Sequence, residues 1–397
     1  MNPIPRLQRF FESAILSYGF RPFFLLGAIY AGLGVLIWLP LLAGELTIPT
    51  AFSPIDWHIH EMLYGYLPAV FSGFLLTAIP NWTGRPPLRG SGLAVLLVVW
   101  IAGRIAVCTS AIVGPLVAGA IDSSFLFLLA AVVTREVVVG RNWRNLPPIF
   151  IILIFFAGNV IFHIGDYATG SAEFGTRLGI AAAVALISLI GGRVIPSFTR
   201  NWLVRENPGR IPKSFDRFDK VVLAISLLAL AMWASTPTWP GTAVLMLLAA
   251  AAQVIRLGRW AGDRTLRNGL VFILHVGYGF IPIGFAGLAA AILLPDAVPM
   301  SAGIHAWTVG AIGTMTLAIM TRASLGHTGQ PLEAGTQTQS IYIAIVIAAA
   351  LRIIAAVFPG TMIPLLYAAG AAWVAAFWMF AVGYGPLLSR PRKATHQ

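Results

Sequence analysis

The chain has a single cysteine, Cys108, among its 397 residues. An internal disulfide needs two thiols, and cysteine-ligated zinc sites and iron–sulfur clusters need several, so all three are excluded. Charged residues are also scarce, at 10% of the chain, whereas a soluble domain carries roughly 25%. This shortage of charge leaves no room for a separate soluble domain.

Hydrophobic residues make up 58% of the chain. The sequence therefore predicts an all-α polytopic membrane protein that forms a single transmembrane domain over residues 1–397. A spanning helix needs about 20 apolar residues, and proline or glycine marks most boundaries between the apolar runs. These rules predict twelve spans: Pro22–Leu42, His58–Ile79, Gly92–Thr109, Val117–Val138, Pro148–Tyr167, Phe174–Phe198, Phe218–Ala234, Thr238–Leu257, Gly269–Leu294, Gly303–Ala323, Ser340–Phe358 and Met362–Leu387.

The net charge of +12 sits in short loops between the apolar runs. Both ends of the chain are basic, and so are the loops after the second, fourth, sixth and eighth spans, whereas the intervening loops carry acids such as Glu45, Asp166 and Asp296. Lysine and arginine accumulate in cytoplasmic loops of membrane proteins. The alternation predicts that both termini are cytoplasmic, and it explains the basic charge without a nucleic-acid partner.

Part of the chain matches itself. Ile59–Pro86 aligns without a gap to Ile304–Pro331 and places His60 on His305. A second alignment places the end of the second span on the end of the sixth. Together the two alignments predict three four-helix units in a pseudo-threefold arrangement, at residues 15–140, 147–260 and 268–388. Internal repeats of this kind are common in membrane proteins. The alternative is a chance match between glycine-rich spans.

The predicted topology sorts the seven histidines by depth. Two lie on the cytoplasmic side, namely His327 and His396. The others lie in the outer half or near the middle of the membrane, and imidazole is a common ligand of haem iron and copper. A histidine with a hydrogen bond in the core is the alternative for each one, but the set favours a metal or haem site formed by His58, His60, His163, His275 and His305.

Spacing divides this set further. His58 and His60 are two residues apart, so on a helix their side chains point about 200° away from each other. Because His60 and His305 match in the repeat, we predict them as the two axial ligands of a haem. The remaining histidines, His58, His163 and His275, are then ligands of a second haem or of copper.

Charged residues inside the spans are the other candidates. Arg104 and Arg352 lie in apolar runs, where an arginine is costly without a counter-ion, and we predict that they hold haem propionates; snorkelling to headgroups is the alternative. Glu61 is the predicted proton relay, and His58 a further catalytic residue. Asp56 and Asp122 are further relay candidates, or acids favoured by the dipole at helix starts.

Several long motifs carry a family resemblance. They are Gly19-Phe20-Arg21-Pro22-Phe23-Phe24, Trp57-His58-x-His60-Glu61-Met62, Gly73-Phe74-Leu75-Leu76-Thr77-Ala78-Ile79-Pro80-Asn81-Trp82-Thr83-Gly84, Gly191-Gly192-Arg193-Val194-Ile195-Pro196-x-Phe198-Thr199-Arg200-Asn201 and Ala311-Ile312-Gly313-Thr314-Met315-x-Leu317-Ala318-x-Met320-Thr321-Arg322-Ala323-Ser324-Leu325-Gly326-His327-Thr328-Gly329. On these residues the sequence resembles the NnrS family, bacterial haem- and copper-containing membrane proteins of the nitric-oxide response. The resemblance extends over nearly the whole chain.

The resemblance implies one or two haems of the b type, copper as a further cofactor, the bacterial inner membrane as location, and a part in resisting nitric oxide. The twelve spans also suggest a fold-level analogy to haem–copper oxidases, although this chain lacks their adjacent pair of metal-binding histidines. We predict an oxidoreductase that reduces NO to N2O with electrons from a quinol or a cytochrome. The alternatives are a non-catalytic protein that binds NO or handles haem or copper, and a secondary transporter.

Overall fold

The computed structural model describes residues 11–206 and 209–391. Within these ranges the chain consists of helices and short connections, without a β-strand. The all-α fold predicted from the sequence is therefore confirmed. Five residues used in the sequence predictions lie outside the described ranges: the basic residues Arg6, Arg9, Arg392 and Lys393 near the two ends, and His396.

Twelve helices in the described part of the chain are long and apolar enough to cross a membrane. This number confirms the prediction, whereas the cytoplasmic placement of the termini stays a prediction. In chain order the helices are α1 (Phe20–Leu42), α2 (Pro54–Thr83), α3 (Ser91–Cys108), α4 (Pro115–Val139), α5 (Trp143–Thr169), α6 (Glu173–Arg205), α7 (Arg217–Ser235), α8 (Pro240–Arg264), α9 (Gly269–Leu293), α10 (Met300–Thr328), α11 (Thr336–Val357) and α12 (Pro359–Ser389).

Helix α2 begins before the apolar run that predicted it. Ser53 caps its first turn, because the serine hydroxyl accepts a hydrogen bond from the backbone nitrogen of Asp56, and Pro54 occupies the first helical turn. Hydropathy cannot detect a polar first turn of this kind. As a result, His58 and His60 lie inside the helix rather than at its start.

Two of the twelve helices contain a π-helical section at matching positions of the sequence repeat. In α2 the section is Glu61–Tyr66, and in α10 it is Ala306–Gly313. The aligned repeat places Glu61 on Ala306, so both sections begin at the same repeat position. Short π-helical sections are rare and frequently occur at functional sites. The three repeat units stay a prediction, which this coincidence supports.

Contacts divide the chain into two compact units. Unit 1 comprises the described parts of Met1–Gly179, Met320–Pro331 and Phe377–Gln397, and unit 2 comprises those of Ile180–Ile319 and Leu332–Ala376. The division does not test the prediction of a single transmembrane domain.

The first and last helices of the chain are joined within unit 1. Arg21 is buried, and its Nη1 donates to the carbonyl oxygens of Leu388 at 2.9 Å and Arg390 at 2.7 Å. Carbonyl groups at a helix C-terminus lack partners within the helix, and a cation is favoured there. The arginine at the start of α1 therefore stabilises the end of α12.

Candidate metal centre

Five helices of unit 1 contribute side chains to one buried polar cluster. His60, Glu61 and Asn159 are completely buried, and Arg104, Asp122 and His163 are at most 7% exposed. Buried polar groups in a membrane protein are costly unless they are paired, and they usually mark functional sites. We call this set the His60 cluster and include in it the hydroxyl of Tyr30, which bonds to Glu61: Tyr30 (α1), His60 and Glu61 (α2), Arg104 (α3), Asp122 (α4), and Asn159 and His163 (α5).

His58 lies outside this cluster. Its ring stacks on Trp38 of α1, with ring centroids 3.8 Å apart and an interplanar angle of 18°. His60, two residues later, contacts Asn159 and His163 of α5 instead. The structure thus separates the two side chains, as their spacing predicts, and His58 remains a predicted ligand without a place in the His60 cluster.

Three potential ligand atoms in the cluster form a nearly equilateral triangle. Nε2 of His60 lies 3.1 Å from Nε2 of His163 and 3.2 Å from Oδ2 of Asp122, and Nε2 of His163 lies 3.1 Å from the same Oδ2. Ligand atoms bound tetrahedrally at about 2.0 Å lie roughly 3.3 Å apart. The triangle therefore has the dimensions of one face of a metal site, and these residues could hold a metal ion.

The hydrogen bonds around His60 favour its use as a ligand. Its Nδ1 lies 3.0 Å from Oε1 of Glu61. Because an ionised carboxylate only accepts hydrogen bonds, Nδ1 carries a proton, and Nε2 is the nitrogen that faces the triangle and could bind a metal there. Carboxylates that orient metal-binding histidines in this way are a general feature of metal sites.

Charge balance also leaves room for a cation. Arg104 pairs with both carboxylates of the cluster, through Nη1 to Glu61 at 2.6 Å and through Nη2 to Asp122. One guanidinium facing two carboxylates leaves a formal charge of −1 when the histidines are neutral. In a low-dielectric interior such an excess must be compensated. A metal ion or an added proton in the triangle would supply that compensation.

Comparison with known families assigns the chain. The model of the NnrS protein family matches residues 14–392. The chain belongs to the NnrS family. No curated protein matches it significantly. Membership confirms the resemblance carried by the motifs and fits a multi-pass membrane protein of the nitric-oxide response.

The donor set of this NnrS protein fits a single metal ion better than a haem at His60. A haem ligand needs free space for the porphyrin beside its coordinating nitrogen. Around Nε2 of His60 that space is filled by Asn159 Oδ1 at 3.1 Å, together with the triangle atoms of His163 and Asp122. A haem ligated by His60 stays a prediction, and it requires these side chains to move apart.

In unit 2, His275 belongs to α9, whereas His305 belongs to α10 and lies beside a different level of α9. His275 packs against Gly262, and His305 follows Gly303, whose backbone touches Gly287. From His275 to Gly287 the helix rises about 18 Å. These two imidazoles therefore do not share one centre, and each stays a predicted ligand.

The contacts of His275 define its tautomer. The hydroxyl of Thr199 donates to the carbonyl of Ile195 at 2.8 Å, so it accepts from Nε2 of His275 at 2.9 Å. Nδ1 of His275 is then the unprotonated nitrogen, and it has no hydrogen-bond partner among the described residues. His305 is different, because its Nδ1 donates to the carbonyl of Ser301 at 2.6 Å.

Arg352 and Asp56 are two further residues that were predicted from the sequence to have a role. Arg352 lies within α11, and no carboxylate of the described residues pairs with it. Its role as a propionate partner stays a prediction. Asp56 is hydrogen-bonded to Ser53 at 2.5 Å in the first turn of α2, the position that the helix dipole favours for an acid.

Sequence reasoning missed two members of the cluster. Asn159 donates to Asp122 at 2.7 Å, and Tyr30 donates to Glu61. Asn159 lies four residues before His163 on α5, so the two share one helix face. The spacing of four between two polar residues in an apolar run was the signal in the sequence from which Asn159 could have been found. Tyr30 gave no signal, because a lone tyrosine in an apolar span is ordinary.

Proposed function

We propose that this protein removes nitric oxide in the bacterial inner membrane, using a metal ion bound by His60, His163 and Asp122. The observation that carries the proposal is the buried triangle of ligand atoms with edges of 3.1–3.2 Å. Family membership supplies the nitric-oxide context. NO is small and apolar, so a centre within the membrane-spanning helices meets it where it concentrates.

The reaction we propose is the reduction of two NO molecules to N2O. It consumes two electrons and two protons and releases one water, and the electrons come from a quinol or a cytochrome. The bound metal would act as a Lewis acid and redox centre for NO. Imidazole and carboxylate ligands suit iron or copper. Haem b remains the additional cofactor that the family resemblance implies.

Residues of the chain would supply the remaining functions. His60 and His163 would bind the metal through Nε2, and Arg104 would balance the two carboxylates. Glu61, which contacts both Tyr30 and His60, would be the proton relay of the site. Aromatic rings close the site to water, with Phe52 at 5.4 Å and Phe162 at 5.2 Å from the His60 ring.

Metal analysis of purified protein tests the site. We expect metal to be lost to background in His60→Ala and His163→Ala, because each removes one of three ligands. The matched controls His58→Ala and His275→Ala remove histidines outside the triangle and should keep that metal. Retention of full metal in both cluster variants would contradict the proposed site.

Anaerobic NO consumption with an artificial electron donor tests the reaction. We expect turnover in the wild type and none in the two cluster variants. The second candidate is a non-catalytic protein that binds NO or handles metals, which the burial of the cluster favours. NO that changes the metal spectrum without being consumed would select it over the reductase.

A further inference from the structure

The carboxylate of Glu61 is held at both of its oxygens. Oε1 accepts a hydrogen bond from Nδ1 of His60 at 3.0 Å. Oε2 accepts from the Tyr30 hydroxyl and, at 2.6 Å, from Nη1 of Arg104. These donors come from three different helices. Together they fix the plane of the carboxylate and therefore the direction in which Oε1 faces.

The hydroxyl of Tyr30 bonds to Glu61 and to no other described residue. Its ring packs edge-on against Trp100, with centroids 5.7 Å apart, and its hydroxyl extends to Glu61. Arg104, by contrast, divides its donors between Glu61 and Asp122. The ring of Tyr30 could keep its packing without the hydroxyl. The hydroxyl is thus a separate contribution to the orientation of Glu61.

We propose that Tyr30 is a positioning residue of the metal centre and acts on His60 through Glu61. The inference rests on the proposed function, because the orientation of His60 matters most if Nε2 binds a metal. With Oε2 held by Tyr30, Oε1 keeps facing Nδ1 of His60. The hydrogen bond from Nδ1 then keeps the imidazole ring turned so that Nε2 faces the triangle.

Tyr64 provides a matched control for Tyr30. It is a buried tyrosine of the same unit, and its hydroxyl donates to the carbonyl of Gly175 at 2.7 Å. Its ring lies 5.7 Å from the ring of His60, but its hydroxyl does not bond to Glu61. Tyr64→Phe therefore removes one buried hydroxyl near the site without changing the support of Glu61.

A titration with Co²⁺ measures the effect on binding. The full-length protein is purified in detergent, stripped of metal with a chelator and titrated with Co²⁺ as a coloured probe. Removing an outer-shell partner of a metal-binding histidine weakens binding about 10–100-fold. We expect about a 10-fold loss for Tyr30→Phe, which removes one of two donors to Oε2, and no comparable loss for Tyr64→Phe.

A double-mutant cycle tests whether the effect passes through Glu61. Glu61→Gln should weaken Co²⁺ binding by about 10–100-fold. If Tyr30 acts only by holding Glu61, the variant with both substitutions should bind as Glu61→Gln does. Losses that add in full would overturn the inference, because Tyr30 would then act by another route.

Nitrogen NMR of metal-free protein provides a readout that does not need bound metal. With ¹⁵N-labelled histidine, the His60 signal is identified by its absence in His60→Ala. We expect a downfield-shifted proton on Nδ1, held by Glu61, in the wild type and in Tyr64→Phe, and an upfield shift of that proton in Tyr30→Phe, where the hydrogen bond to Glu61 is weaker. An unchanged His60 signal in Tyr30→Phe would contradict the positioning role.

The two measurements separate this inference from the proposed function. If the wild type fails to bind Co²⁺ while the His60 Nδ1 signal still depends on Tyr30, the metal site fails and the positioning effect stands. If Tyr30→Phe does not fold, the His60 Nδ1 signal in Glu61→Gln decides, since the inference requires the Glu61 carboxylate as the link. An Nδ1 proton shift in Glu61→Gln equal to that of the wild type would end it.

Discussion

Gly65 determines how closely Arg104 can approach Glu61. A Cβ atom at position 65 would lie 2.3 Å from Nη1 of Arg104 and 2.8 Å from Oε2 of Glu61. Both distances are shorter than any contact between such atoms allows. The absent side chain therefore provides the space in which the guanidinium and the carboxylate meet.

We predict that Gly65→Ala displaces Arg104 from Glu61. Overpacking a buried site costs roughly 1–3 kcal/mol, so the melting temperature in detergent should fall and the metal content should drop. Gly279→Ala is the control, because its Cβ would come no closer than 3.9 Å to Leu257. Equal melting temperatures for the two variants would contradict the prediction.

The residues of the site could be named from the sequence more readily than they could be paired. His60, Glu61, Arg104, Asp122 and His163 were all candidates, because ionisable side chains in apolar spans are conspicuous. Their mutual contacts join different helices, with sequence separations from 18 for Arg104 and Asp122 to 103 for His60 and His163. The repeat suggested His305 as the partner of His60. The repeat could not reveal which face of α5 lies against His60.

Helix ends and helix irregularities are the features that hydropathy detects least well. Apolar runs located all twelve spans, because about 20 apolar residues in succession leave few other structures. The π-helical sections Glu61–Tyr66 and Ala306–Gly313 lie inside two of these spans, and the apolar runs that locate the spans do not mark them. Their hydrogen bonds depend on how neighbouring helices pack, which a single-chain pattern does not contain.

The start of α7 allows a test of pH dependence at the level of one element. Asp216 caps the helix by accepting hydrogen bonds from the backbone nitrogens of Phe218 at 2.9 Å and Asp219 at 3.3 Å. A hydrogen bond from Arg259 lowers the pKa of Asp216 from 3.8 to about 2. Since the folded pKa is lowered, this stabilisation is present above pH 3.8 and is lost as the pH falls towards 2.

We predict that Asp216→Asn lowers the melting temperature at pH 7 and that the difference from the wild type disappears near pH 2. Asparagine still caps a helix, so the substitution isolates the charge. Asp296→Asn is the control, because Asp296 is exposed and has no partner among the described residues. A difference that persists unchanged at low pH would show that the cap, and not the charge, is responsible.

Charge asymmetry defines the predicted orientation of the whole molecule. The basic loops follow the second, fourth, sixth and eighth helices, on the same predicted side as both ends of the chain, and they predict that both termini are cytoplasmic. Hydrogen bonds and packing within the helices carry no information on which membrane face is which. Orientation therefore follows from the sequence and not from the fold.

Reporter fusions test the orientation. A fluorescent protein that matures only in the cytoplasm should fluoresce when joined to the C-terminus, and a phosphatase that folds only outside should be active when inserted beside Asp296, in a predicted outer loop. We expect the reciprocal fusions to be inactive. Phosphatase activity at the C-terminus would contradict the predicted topology.

The bond between Arg21 and the end of α12 has a consequence for how the protein is made. Arg21 leaves the ribosome 367 residues ahead of Leu388, whose carbonyl oxygen it binds. During synthesis its guanidinium therefore lacks this partner until α12 has been made. A chain that stalls before α12 is complete keeps a cation at the start of α1 without the carbonyl groups that bind it in the folded protein.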